Sequence, residues 1–563
     1  MRKTNIMKFP GLIAIILLFL TAHCSGPQPE SGQKTPSRLG EVHLKVTGAE
    51  EAMPSFEKGL LLLHSFEYDD ARAAFQKARE LDPSFAMAYW GEAMTHNHGL
   101  WRQQDLEAAR AVLEELAPTS AERLEKAPTK MERDFLRAVE VLYGEGEKVE
   151  RDKAYSAFME KLYKKYPGNH EVAAFYALSL LGAVPVGRDE EAYETGAVIA
   201  EGILKENPNH PGALHYLIHS YDDPGHAHLA KLAADSYADV APDAAHALHM
   251  PSHIYVALGM WHEVVASNEA SYGASVSRME SRGLDNDARS YHAFHWLLYG
   301  YLQQGRYDDA RRIMEQMKQY TEELPSKSAR SYLVRMKGNY LVETEEWDGP
   351  FAETEVDMEE LNLKFQAIDH FLEGMKAYRK GDAARVRAML EKMASARQQA
   401  SMSVTREGVP MCSAGSGYGK ANQLDIDEAY ILELELKGLL AMVEGREVDA
   451  ERWLKEATDV QDNASYSYGP PEVVKPSYEL YGEWLLEQGR PEEALEQFGR
   501  ALKRGPQRVR ALKGQMEAAR ALGRDELAKS SQQALDDIRN KAEKQMKGQL
   551  TLLLRPVDGI NPG

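Results

Sequence analysis

Cysteine is almost missing from this sequence. The 563 residues include only Cys24 and Cys412, so no disulfide framework can hold the fold, and no C-x-x-C pair is present for a zinc ribbon or a redox motif. Positive charge is in deficit, with 67 Lys and Arg against 87 Asp and Glu and a formal net charge of −20. That balance argues against nucleic acid or an anionic membrane surface as the main partner. Several catalytic signatures are absent as well: there is no G-x-x-x-x-G-K-[ST], G-x-G-x-x-G, H-E-x-x-H or G-x-S-x-G. The Gly-rich "GSGYGK" at 415–420 follows no strand-like run and does not read as a phosphate loop. β-Branched residues are not enriched, whereas Ala, Leu, Glu, Lys, Arg and Met are plentiful, which favours helix. Hydrophobic content of 43% and charged content of 27% are globular values. The length exceeds one ordinary core, so the composition predicts an all-α chain built as several domains or as one elongated array.

The one strongly apolar run lies at the N-terminus. Arg2, Lys3 and Lys8 precede and flank "FPGLIAIILLFL", which is too short to span a bilayer and fits the core of an export signal. The residues leading to Cys24 resemble a bacterial lipoprotein signal, which implies cleavage after residue 23 and lipidation of Cys24. The expected location is the bacterial cell envelope, lipid-anchored, with a secreted or periplasmic protein as the alternative. Residues 24–45 read as a polar, flexible linker. Ser25 after Cys24 does not point to inner-membrane retention.

From about residue 46 to 545 the chain repeats itself. "GLLLLHSFEYDDARAAFQKARELDP" places Gly59, Ala71, Phe75, Ala78 and Pro83 at positions 8, 20, 24, 27 and 32 of a 34-residue unit starting at Ala52. Gly482, Ala494, Phe498, Ala501 and Pro506 hold the same offsets in a unit starting at Lys475. Further units start at Tyr291 and at Tyr430 or Ile431. Weaker ones start near Ala86, Asn169, Pro211, Ala245, Gln366 and Val509. These residues resemble the tetratricopeptide (TPR) repeat. The resemblance implies an all-α superhelical solenoid of roughly ten helix pairs, with the first helix of each pair lining a concave groove. Residues 275–287 and 403–423 read as inserted loops, 462–476 as a Tyr/Pro-rich approach to the last clear unit, and 546–563 as a C-terminal tail. "HYLIHSYDDPGHA", "APDAAHALHMPSHIYVALGMW" and "PPEVVKPSYELYGEWLLEQGRPEEALEQF" are similar to a family of exported bacterial TPR proteins, which implies no particular reaction.

The histidines are concentrated on this frame. Residues 210–295 hold 11 of the 18. TPR repeats are expected to face the groove with positions 2, 5, 9, 12 and 13. These positions take His215, His219, Asp222 and Asp223 in the unit from Pro211. They take His246, His249 and His253 in the next unit, and His292 and His295 in the one from Tyr291. Spacing of i, i+4 puts His215 with His219, and His249 with His253, on one face of a helix. Neutral imidazoles from neighbouring helices, with a carboxylate beside them, are the donor set of a transition-metal site. The candidate ligands are therefore His215, His219, His246, His249, His253, His295 and Asp222, with copper, zinc or iron as the ion. Trp90, His98, His226 and His292 are candidates for the surrounding ligand groove. His64 and His96 read as structural.

Two functions follow from these expectations. One is a scaffold whose groove binds a metal, a peptide or protein, or a small molecule, with no nucleic-acid partner and membrane contact only through the lipid. The other is a metal-dependent enzyme, oxidative or hydrolytic, working in the histidine-lined groove. A hydrogen-bonded structural network is the bland alternative to both.

Overall fold

The computed structural model describes residues 38–410 and 420–553, with side chains to Met546. Cys24, Cys412, the signal segment and the last ten residues lie outside the described residues. The compact unit begins at Arg38. It is a stack of paired helices with one two-residue hairpin, Asn97–His98 against Gln103–Gln104. The chain is a helical solenoid of the TPR type.

The repeat residues explain the stacking. Phe75, fully buried on Tyr68–Leu81, wedges between Gly59 of Met53–His64 and Gly91 of Ala86–Met94. A Cβ at Gly91 would fall 2.3 Å from the Phe75 ring, so only a glycine lets the third helix close on the second. The same device recurs at the other end of the chain. There Phe498 sits between Gly482 and Gly514, and a Cβ at Gly514 would lie 2.2 Å from its ring.

Most expected unit starts coincide with helix starts, as at Ala86–Met94, Pro211–Ser220, Tyr291–Gln303 and Val509–Ala521. The helix expected from Tyr430 starts earlier, at Gln423, where Asn422 and Asp425 form a capping box. The pair Lys130–Leu142 and Lys148–Lys165, and the helix Lys327–Thr344, carry no recognisable repeat residues and add to the expected set.

Three boundaries differ from expectation. Residues 275–282 are not a loop: Trp261–Arg282 is one helix, held by buried Ser275 and Met279, and Gly283 ends it in the left-handed conformation. Residues 38–45 are not free linker, because Leu39 and Val42 are buried and the backbone is bonded to the solenoid. The Glu41 amide donates to the Asn209 carbonyl at 2.9 Å and the His43 amide to Glu171 Oε1 at 3.1 Å. At the other end, Asp525–Leu553 is a single helix running past residue 546.

The superhelix also brings distant units together. Met53–His64 packs against Pro211–Ser220, and the loop after Asn463 folds back onto the histidine-bearing units through Tyr468 and Gly469. In that loop Gly469, at φ +90°, lies so close to Trp296 that a Cβ would be 2.3 Å from the indole.

Candidate metal centre

Three helical segments supply the histidines. His215 and His219 are on Pro211–Ser220 and His292 is on Tyr291–Gln303. His246, His249 and His253 sit on a helix that is interrupted at Met250: Ala245–His249 is followed by Pro251–Ala257. Pro251 has no N–H to continue the ladder, so the break falls between His249 and His253. His219, His246, His249, His253 and His292 line one cavity of about 910 Å³, and His215 lies outside that lining.

The six imidazoles form two sets. One nitrogen from each of His215, His219 and His246 lies within 4.8 Å of the other two, and the same holds for His249, His253 and His292. His215, His219, His249 and His253 are buried, whereas His246 and His292 are half-buried at the cavity wall. The sets adjoin through His219 and His253, whose ring centres are 5.4 Å apart, and through His246 and His249, at 6.1 Å.

Hydrogen bonds behind the rings settle several tautomers. His215 Nδ1 donates to the His64 carbonyl at 2.8 Å, and His253 Nδ1 donates to Asp222 Oδ2 at 2.5 Å. The Asn268 amide is oriented by donating from Nδ2 to the Val264 carbonyl, so its Oδ1 must accept from His249 Nδ1, 2.7 Å away. Nδ1 therefore carries the proton in His215, His249 and His253, and each Nε2 presents a lone pair. This is how metal-binding histidines are commonly oriented by the groups behind them. Nε2 of His215, His219 and His246 is buried without any partner, as is Asp222 Oδ1. His249 Nε2 faces His253 Nε2 at 3.1 Å. Two lone pairs at that distance repel unless a proton or a metal ion stands between them.

Burial holds the imidazoles of His215, His219, His246, His249 and His292 well below their ordinary pKa of 6.5, and neighbouring histidines add to the effect. They are neutral near pH 7, the state in which imidazole binds a metal.

Other sequence-predicted residues are placed differently. His295 is buried and lines the same cavity, but its Nε2 donates to Asn339 Oδ1 at 2.7 Å and it joins neither set. Burial lowers its pKa to about 4. Asp222 Oδ2 accepts from His253 Nδ1 and orients that ring, and Asp222 also forms with His219 and His253 a group whose ligand atoms lie within 4.8 Å of one another. Trp90 does not line the cavity: it is core, edge-on to Phe135 and Phe175. His226 is half exposed on the outer side of its loop, paired with Asp223 at 2.9 Å. His98 does line the cavity, stacked on Tyr68 with ring centres 3.9 Å apart.

Two features escaped sequence reasoning. Tyr468, in the loop 462–476, places its ring 5.0 Å from His253 across the cavity, and the neighbouring Ser465 Oγ accepts from the Arg188 amide. The only signal was the unusual Tyr/Pro content of that loop. The second is a buried group of His64, Glu171 and His210, drawn from three separate units. His64 Nε2 donates to Glu171 Oε2 at 2.8 Å and its Nδ1 accepts from the Tyr216 hydroxyl at 2.9 Å. His210 Nδ1 caps its own helix by accepting from the Ala213 amide, and its Nε2 lies 3.3 Å from Glu171 Oε1. Burial pushes the Glu171 carboxyl up, but the two histidines outweigh it and hold it well below the carboxylate range. His64 is thus fully engaged within the protein, while His210 Nε2 has the Glu171 carboxylate at ion-pair distance without a hydrogen bond.

No family model and no curated protein matches the sequence. Among solved structures the chain is similar to the human IFIT1 dimer with m7Gppp-AAAA, at 13% identity and TM-score 0.36 over 91% of this chain and 97% of that one. It is also similar to the APC/C hetero-tetramer Cut9-Hcn1, at 12% identity and TM-score 0.35 over 83% and 76%. Yeast Tom70 matches at 14% identity and TM-score 0.31 over 86% and 99%. Likeness at this level carries nothing about function.

Proposed function

We propose that this protein is a TPR-type scaffold that binds a transition-metal ion in its groove, at His249, His253 and His292. The observation that carries this reading is the pair of Nε2 lone pairs held 3.1 Å apart by the hydrogen bonds of Asn268 and Asp222. Two donors bound to one ion at about 2.0–2.1 Å each are separated by about this much, so a cation turns the repulsion into coordination. A donor set of imidazoles suits copper, zinc, iron or nickel and not magnesium or calcium. Export and lipidation at Cys24 would place the groove in the cell envelope, and a protein or peptide partner would use the same surface.

Metal analysis of untagged protein tests the reading. The expected result is stoichiometric copper or zinc, either as purified or after titration. Less than about a tenth of an equivalent, with no uptake on titration, overturns it. Labelling with a radioactive fatty acid, compared between the wild type and Cys24→Ala, tests the anchor.

One observation favours a catalytic reading within this proposal. Three protein ligands leave a coordination position open, and these three line a 910 Å³ cavity that also holds Tyr468, Trp101 and Arg102. Open positions beside a large cavity belong to a site that acts on a ligand, not to one that only locks a fold. Metal-dependent turnover, absent in His249→Ala, would establish it.

A further inference from the structure

The centre proposed above uses three of the six clustered imidazoles. We infer that the other three, His215, His219 and His246, hold a second transition-metal ion, so that the groove carries a two-ion centre with imidazole donors. This rests on the metal-binding reading and extends it.

The second set satisfies the same requirements by independent means. Its three donor nitrogens lie within 4.8 Å of one another and come from two helices of consecutive repeats. All three Nε2 atoms are buried and unpartnered. The His64 carbonyl fixes the proton of His215 on Nδ1, which directs the Nε2 lone pair into the set. Aromatic rings pack around the set: the Phe66 ring centre lies 4.2 Å from that of His215, and Trp101 meets His246 edge-on at 5.9 Å. Buried polar atoms are nearly always satisfied in folded proteins, so three orphans pointing at one place call for a shared partner.

His215 and His246 share no ligand group with His249, His253 or His292, which favours a separate ion, and the two sets meet where His219 and His253 share a group with Asp222. Asp222 links the groups. Its Oδ2 accepts from His253 of the first set, its Oδ1 has no partner, and one of its oxygens forms a group with nitrogens of both His253 and the second set's His219. The imidazole donors select copper or zinc over the oxygen-seeking divalent ions.

The test is stoichiometry on full-length, untagged protein stripped of metal, loaded with Zn²⁺ or Cu²⁺ and dialysed. The wild type should retain two ions per chain. His246→Ala and His292→Ala each change a half-buried side chain at the cavity wall; each should retain one ion, and the double variant none, with helicity unchanged by circular dichroism. Should an alanine variant lose helicity, His246→Gln and His292→Gln replace them, with the same counts expected. One ion in the wild type overturns the two-ion centre: the proposed function stands if His292→Ala removes that ion, and its placement falls if only His246→Ala does. No ion in the wild type overturns both.

Discussion

Two histidine clusters lie a few residues apart in this protein and behave oppositely. In the group of His64, Glu171 and His210, each imidazole nitrogen faces a carboxylate, a hydroxyl or a backbone amide. In the sets of His215, His219 and His246 and of His249, His253 and His292, the proton is fixed on Nδ1 of His215, His249 and His253, and Nε2 of His215, His219 and His246 is left without a partner. The first cluster also ties down the incoming chain, because Glu171 accepts the His43 amide. Burial and histidine content are common to both. The difference is whether the protein itself supplies every partner, and only the group that lacks them calls for a ligand.

The largest expected effect comes from breaking the satisfied cluster. Glu171→Ala strips two buried imidazoles and one backbone amide of their acceptor, and should cost about 3–5 kcal/mol in urea unfolding. Metal stoichiometry of the protein that remains folded should not change. The reverse pattern is expected for His249→Ala, which should abolish the ion of its set. It should leave the metal-free stability within about 1 kcal/mol of wild type, since it also removes a lone-pair repulsion. Equilibrium dialysis and urea unfolding on the same samples separate these outcomes.

Asp222→Asn tests orientation rather than ligation. His253 would lose its charged acceptor, and metal affinity should fall about 10–100-fold without loss of the ion at saturation. The smallest effect is expected at His295, buried like the others but bonded only to Asn339. Its pKa lies near 4 in the folded protein, against 6.5 as the ordinary value. The unfolded chain therefore binds the extra proton first, and the stability present above pH 6.5 is lost as the pH falls toward 4. Between pH 6.5 and about 5.5 this one group should account for about 1 kcal/mol. His295→Gln should flatten the pH dependence of unfolding by that amount while metal content stays the same.

Much of this was legible from sequence because it depends on local periodicity. Gly59, Phe75 and Gly91 mark where helices cross, and the i, i+4 spacing of His215 with His219 and of His249 with His253 places each pair on one face. Repeat position alone did not foresee the Asn339 partner of His295 or the core position of Trp90. It reports which face of its own helix a residue occupies, and says nothing about the Asn339 that a later helix brings to His295.

The sequence by itself determined a helix-pair solenoid with histidines gathered on one face of consecutive repeats, since spacing and small residues act within and between adjacent helices. Only the tertiary structure decided which of those histidines meet, which nitrogen of each carries the proton, and that Tyr468 closes over them. The superhelical path sets distances between residues far apart in the chain, and a carbonyl, a carboxylate and an amide from other segments set the tautomers. None of these has a local sequence signal.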